Sequence, residues 1–238
     1  LLHLRASVRV LHAERTMEDI VRPLLDQAID RWEALPAGLV QGTRKVFTDG
    51  STFFSLTPFK RSGYSVHFPL DDGEEELQLD KTPASFKGLL PGKHQDINRA
   101  ELFAVMKLMV SVTNFNVQWY SDSKYAIEGI LHLLQNPIKD ASNQGMKGKR
   151  SNEDMWAIAA EIVGWFKRFF TIDCKYVPAH IEADEVGSRI TLSEFHGNKA
   201  ADKAAKEGAQ MHPEFWRVKN CMAVWEKFAE SVGKEVLD

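Results

Sequence analysis

The chain has 238 residues, 44% of them hydrophobic, enough to bury a full core in one domain with extensions or in two small domains. A net charge of -3 and a pI near 6.3 exclude a uniformly basic surface, yet the charge is unevenly spread. Residues 71–80 hold Asp71, Asp72, Glu74, Glu75, Glu76 and Asp80 without a base, whereas residues 139–150 set Lys139, Lys147, Lys149 and Arg150 against Asp140 alone. A local basic patch of that kind can contact phosphates even on a mildly acidic protein.

Two cysteines, Cys174 and Cys221, supply neither a disulfide framework nor zinc-ligand spacing, which points to a reducing, intracellular location in cytoplasm or nucleus. No apolar run is long enough to span a bilayer and no signal peptide opens the chain, so no membrane partner is expected. The first residue is Leu, as expected of a piece of a longer polypeptide.

The spacing of Ile20, Leu24, Leu25, Ala28, Ile29 and Trp32 predicts an amphipathic helix over 16–35, started by Thr16 and Asp19 and stopped by Pro36 and Gly38. Strands are predicted at 44–49, 63–70 and 84–90, with a loop at Pro58 and an exposed acidic turn between the last two. An apolar helix follows over 98–112, then a buried strand at 115–121 and a helix at 123–134. The basic loop leads into a helix at 153–170 and a last strand at 171–177. Residues 178–196 read as loop, 198–209 as an alanine-rich helix and 213–233 as a further helix carrying Trp216, Val224, Trp225 and Phe228. Strands followed by alternating helices and strands describe an α/β layout with a mixed sheet.

Four acids stand at the edges of otherwise apolar elements: Asp49, Glu101, Asp122 and Asp202. Each has an ordinary explanation. Asp49-Gly50 is a turn signal, Asn98 to Glu101 has capping-box spacing, Asp122 suits a helix start, and Asp202 can pair with Lys206 one turn on. Taken together they point to one shared site. Converging carboxylates repel unless a cation lies between them. Hard oxygen ligands favour magnesium or manganese, so the set suggests an enzyme that cuts phosphodiesters.

The segments around these acids resemble the motifs of the ribonuclease H family. They are Thr48-Asp49-Gly50-Ser51, Asn98-Arg99-Ala100-Glu101-Leu102, Ser121-Asp122-Ser123-Lys124-Tyr125, Val177-Pro178-Ala179-His180 and Gly197-Asn198-Lys199-Ala200-Ala201-Asp202, in the family's order across 44–209. The resemblance implies a five-stranded mixed sheet flanked by helices. It implies a domain at 41–211, with helical extensions at 1–40 and 212–238. It also implies hydrolysis of the RNA strand of RNA/DNA hybrids, leaving 5′-phosphate and 3′-hydroxyl ends. Two magnesium ions, for which manganese can substitute, would be held by Asp49, Glu101, Asp122 and Asp202 about 4 Å apart.

By the same resemblance His180 is the loop histidine, with His196 as the rival. Asn98 reads the minor groove, Tyr125 lines a substrate channel, Lys147, Lys149 and Arg150 form a basic protrusion, and Asn152 belongs to a phosphate pocket beside Trp156. Departures occur at Asp96, Ile97 and Leu133, where the family often has a Thr, an amide and a Trp; they reduce the implied contacts to the DNA strand. A non-catalytic, connection-type domain of a reverse transcriptase and another nuclease or transposase of the same broad fold are the alternatives. A covalent link to a reverse transcriptase, as in a retroelement polyprotein, and a free-standing cellular enzyme both stay open.

Overall fold

A computed structural model describes residues 16–36, 39–69, 84–136, 152–179, 181–182 and 185–235, with side chains through residue 227. The elements, in chain order, are α1 (Met17–Glu33), β1 (Thr43–Phe53), β2 (Arg61–Phe68), β3 (Ala84–Leu89), α2 (Ile97–Ser111), β4 (Asn116–Ser121), α3 (Lys124–Gln135), α4 (Glu153–Phe166), β5 (Ile172–Tyr176), α5 (Leu192–Gln210) and α6 (Phe215–Glu235). The basic residues Lys139, Lys147, Lys149 and Arg150, the acidic run 71–80 and His180 lie outside the described residues.

The sheet order is β3-β2-β1-β4-β5. β1, β2 and β3 pair antiparallel, while β4 runs parallel to both β1 and β5. Central β1 is buried on both sides from Val46 to Ser51, so its sequence is not the simple alternation of a half-exposed strand. Trp119 of β4 donates from Nε1 to Thr48 Oγ1 at 2.7 Å, which satisfies a polar atom in the middle of the sheet.

One face of the sheet carries α2 and α3, with α4 stacked outside them, and the other carries α5. Helix α1 begins with the Thr16–Asp19 capping box and adds Met17, Val21, Leu25, Ala28 and Trp32 to the main core. Trp32 is fully buried, donates from Nε1 to the Val112 carbonyl at 2.8 Å and meets Phe166 and Phe170 edge-on, each at 5.9 Å. Arg22 reaches Glu161 of α4 with both guanidinium nitrogens, at 2.5 and 2.6 Å. At the other end, α6 is anchored by Phe215 and Val218, while Trp216, Val224 and Trp225 are exposed. No helix among the described residues is long and apolar enough to cross a membrane.

Three boundaries differ from the sequence reading by four residues or more. β1 does not stop at Asp49 but runs on to Phe53, because β2 pairs with it as far as Phe53↔Arg61. Helix α4 ends at Phe166; the continuing apolar residues Phe169 and Phe170 belong to tight turns onto the Phe166 carbonyl. Helix α5 begins at Leu192 rather than 198, capped by a Thr191–Glu194 box within the stretch read as loop. Gly197 is interior to that helix because a Cβ there would lie 2.3 Å from the Phe47 ring.

Glycine also sets the spacing between α5 and the sheet. A Cβ on Gly63 of β2 would lie 2.0 Å from the Ala209 backbone nitrogen, and one on Gly208 would lie 2.5 Å from the Gly88 carbonyl oxygen. Backbone cannot rotate away as a side-chain tip can. Gly63→Ala is therefore expected to push α5 outward, cost about 2–3 kcal/mol and lower Tm by about 5–10 °C. A thermal melt checks this, and an unchanged Tm would contradict the packing account.

Candidate active site

Parallel strands that part company leave a crevice at their carboxyl ends. β1 and β4 remain in register to Phe47↔Tyr120, and two residues further along each strand stand Asp49 and Asp122. From there β1 continues with β2, while β4 ends and the chain turns into α3. Ser123 caps α3 by accepting from the Ala126 N–H at 3.3 Å, and Ser121 Oγ accepts from the Ser123 N–H at 3.1 Å. These bonds hold Asp122 at the strand–helix junction.

Glu101 comes from α2, which crosses β1 so closely that a Cβ on Gly50 would lie 2.6 Å from the Glu101 backbone nitrogen. The capping-box reading of Asn98 and Glu101 does not hold: Asp96 is the cap, accepting from the Asn98 N–H at 2.9 Å. Glu101 is thereby left for the acid cluster. Asp49, Glu101 and Asp122 each bring a carboxylate oxygen within 4.8 Å of the others, with Asp49 and Glu101 buried and Asp122 half-buried.

Such a cluster is electrostatically strained. Burial first, then the charges of Asp122 and Asp202, push the Asp49 carboxyl up to about 8. Burial, followed by the charges of Asp49 and Asp122, holds Glu101 well above the usual carboxylate range. The direct approach of the two side chains lowers Asp49 and raises Glu101, but burial and the neighbouring charges outweigh it and leave both carboxyls raised. Glu101 Oε2 is buried without any hydrogen-bond partner. Three hard oxygen donors, one of them orphaned, suit a divalent cation better than they suit one another.

Asp202 stands apart from this triad. Its Oδ2 accepts from Lys206 Nζ at 2.7 Å, the intrahelical pair anticipated as its ordinary role. It is nevertheless close enough to raise Asp49, and it lines an open depression of about 300 Å³ together with Asp122, Asn198 and Lys199. Phe195, Ile181, Ile190 and Pro178 form the apolar part of that wall.

Of the other expected contacts, Asn98 is half-buried in the first turn of α2. His196 lies on α5 with its side chain exposed, so it is not a loop residue. Tyr125 and Asn152 belong to a polar hub where α2, α3 and α4 meet. Trp156 Nε1 donates to Tyr125 Oη at 2.7 Å, Asn152 Nδ2 reaches the same oxygen at 3.4 Å, and the Trp156 ring fills the space over Gly129. The sequence reading missed the centre of that hub, Arg99. This residue is buried and donates to both oxygens of Asp154 at 2.8 Å and to Asn152 Oδ1 at 3.1 Å. The available signal was its place on the buried face of α2, one turn before Leu102 and Phe103.

The raised carboxyls carry a stability prediction. Between the unfolded value near 4 and the folded value near 8, the folded chain binds more protons than the unfolded one. Without divalent ions, stability therefore falls as pH rises through that window. Asp49→Asn is expected to flatten this dependence and to stabilise the metal-free protein at pH 8 by about 1–3 kcal/mol. Thermal melts in chelator at pH 5.5 and 8 measure it; a variant less stable than the parent at pH 8 would contradict it.

Comparison with known proteins bears on the fold and the family. No curated protein matches the chain. Among solved structures, the native protease–reverse transcriptase of prototype foamy virus matches at 18% identity with a TM-score of 0.50, over 74% of this chain and 22% of that one. LC9-RNase H1, a type 1 RNase H with the type 2 active-site motif, matches at 17% identity and a TM-score of 0.50, over 70% of this chain and 72% of that one. The PFV RNase H domain is 22% identical over 70% of this chain and 93% of its own, with a TM-score of 0.48. At these identities the likeness is one of fold. The family model for RNase H matches residues 42–210, the greater part of the sequence, and the chain belongs to that family.

Proposed function

We propose that this protein is an endonuclease that hydrolyses the RNA strand of RNA/DNA hybrids in a magnesium-dependent reaction, leaving 5′-phosphate and 3′-hydroxyl ends. The observation that carries the reading is the clustering of Asp49, Glu101 and Asp122 within 4.8 Å, with an orphaned oxygen on Glu101. These three, with Asp202 once released from Lys206, are the residues that would hold a pair of magnesium or manganese ions. Bound there, the ions would supply a nucleophilic water at neutral pH and stabilise charge on the leaving oxygen.

The chain's own groups do the rest. Asp49 and Glu101 are the buried acids of the set, and cations held by them would offset the repulsion that raises both carboxyls. Asp122, at the strand–helix junction, lines the open depression together with Asp202 and meets the phosphodiester there. Asn98, in the first turn of α2, lies three residues before Glu101 and contacts the 2′-hydroxyl side of the RNA strand. Asn152 and Tyr125 support the backbone, joined by Lys147, Lys149 and Arg150 of the basic loop. His180, three residues beyond Val177, assists water activation or product release. The catalytic unit is residues 41–211, with 1–40 and 212–238 as extensions. A covalent link to a reverse transcriptase is the organisation named for the foamy-virus polypeptide, and it suits this chain as well as a free enzyme does.

The Asp202–Lys206 pair favours one other reading, a domain that holds hybrids without cutting them. Cleavage decides between the two. RNA/DNA, RNA/RNA and single-stranded RNA are compared in one magnesium buffer, with Asp122→Asn alongside. The hybrid is expected to be cut, and the variant is expected to lose at least about a thousandfold in rate with its circular dichroism unchanged. An intact hybrid, or a variant as fast as the parent, would contradict the proposal.

A further inference from the structure

Asn152 opens α4 in a left-handed conformation, φ 75° and ψ 40°, and its side chain does not cap the helix. The side chain is instead held from behind. Arg99 is 6% exposed, so its guanidinium is no surface contact for a ligand. Its Nη1 donates to Asn152 Oδ1 at 3.1 Å, while Nη1 and Nη2 together take both oxygens of Asp154 at 2.8 Å. A carboxamide has an acceptor end and a donor end, and Arg99 at the acceptor end turns Nδ2 away from it, with two hydrogens of which one reaches toward Tyr125 Oη at 3.4 Å. A phosphate oxygen only accepts hydrogen bonds, so it can use Asn152 only through Nδ2. The helix start is also acidic, with Glu153 and Asp154 in its first turn, and Arg99 holds Asp154 ionised and paired.

We propose that Arg99 is a positioning residue: it orients the Asn152 carboxamide so that Nδ2 is presented to a phosphate of the nucleic-acid backbone. Arg99 lies between Asn98 and Glu101 on α2, so the same contact fixes the α4 helix start relative to the acid cluster. The inference rests on the phosphodiester-substrate reading given above. Arg99 touches no substrate; it acts through Asn152.

A double-mutant cycle on hybrid affinity tests this, measured in calcium to suppress turnover. One arm is Arg99→Met with Asp154→Asn, which removes the ion pair without leaving a lone charge. The other is Asn152→Ala, and the third protein combines all three changes. Each arm is expected to raise Kd about tenfold, and the combination is expected to be no weaker than Asn152→Ala alone. Ile162→Ala, which thins the core under the same helix, is expected to lower Tm while leaving Kd within about twofold of the parent. Multiplying effects, an unchanged Kd in either arm, or an equal loss of affinity in Ile162→Ala would overturn the assignment of Arg99. A parent that binds and cuts the hybrid while the cycle fails removes this proposal alone. A parent that does not bind the hybrid removes both this proposal and the functional reading beneath it.

Discussion

Carboxylates crowded into a buried crevice repel, and this fold holds three of them together by means that have nothing to do with attraction between them. β1 and β4 run side by side and then diverge, leaving Asp49 and Asp122 at the point of parting. Gly50, which has no side chain, lets α2 lie against the strand and deliver Glu101. The tension is visible in the raised Asp49 and Glu101 carboxyls and in the unpartnered oxygen of Glu101. Strain of this sort is retained where something positive is meant to relieve it.

The surrounding architecture keeps that cluster rigid. Trp119 and Thr48 close the sheet beneath it, the Arg99 hub ties α2 to α4 beside it, and the glycines at 63, 197 and 208 bring α5 down on the far side. The N-terminal helix takes part in the same core: Trp32 and the Arg22–Glu161 pair fasten α1 to α4 and to the end of α2. Helix α6 is different: Phe215 and Val218 are buried, while Trp216 and Trp225 lie on the surface.

Much of this could be read from the residues. The meeting of Asp49, Glu101 and Asp122 and the order of helices and strands were legible because each of these acids interrupts an apolar pattern and each element has the right period. The Asp202–Lys206 pair was visible as a spacing, though spacing alone could not say which role its carboxylate takes. Other features were hidden by physics that is not local. Asp49 was placed at a strand end, yet pairing with β2 extends β1 four residues further. Residues up to 196 were read as loop, so the Thr191 cap of α5 was overlooked; Gly197 sits inside that helix because of its contact with Phe47. Arg99 escaped notice because a buried arginine is intelligible only once its partners on α4 are in place.

The central claim is that these acids form a cation site. Diffraction from crystals soaked in manganese, with anomalous differences, tests it most directly. The account predicts an anomalous peak between Asp49, Glu101 and Asp122, with carboxylate oxygens about 2.0–2.3 Å away. A map without density there, or with manganese only at distant surface acids, would contradict it.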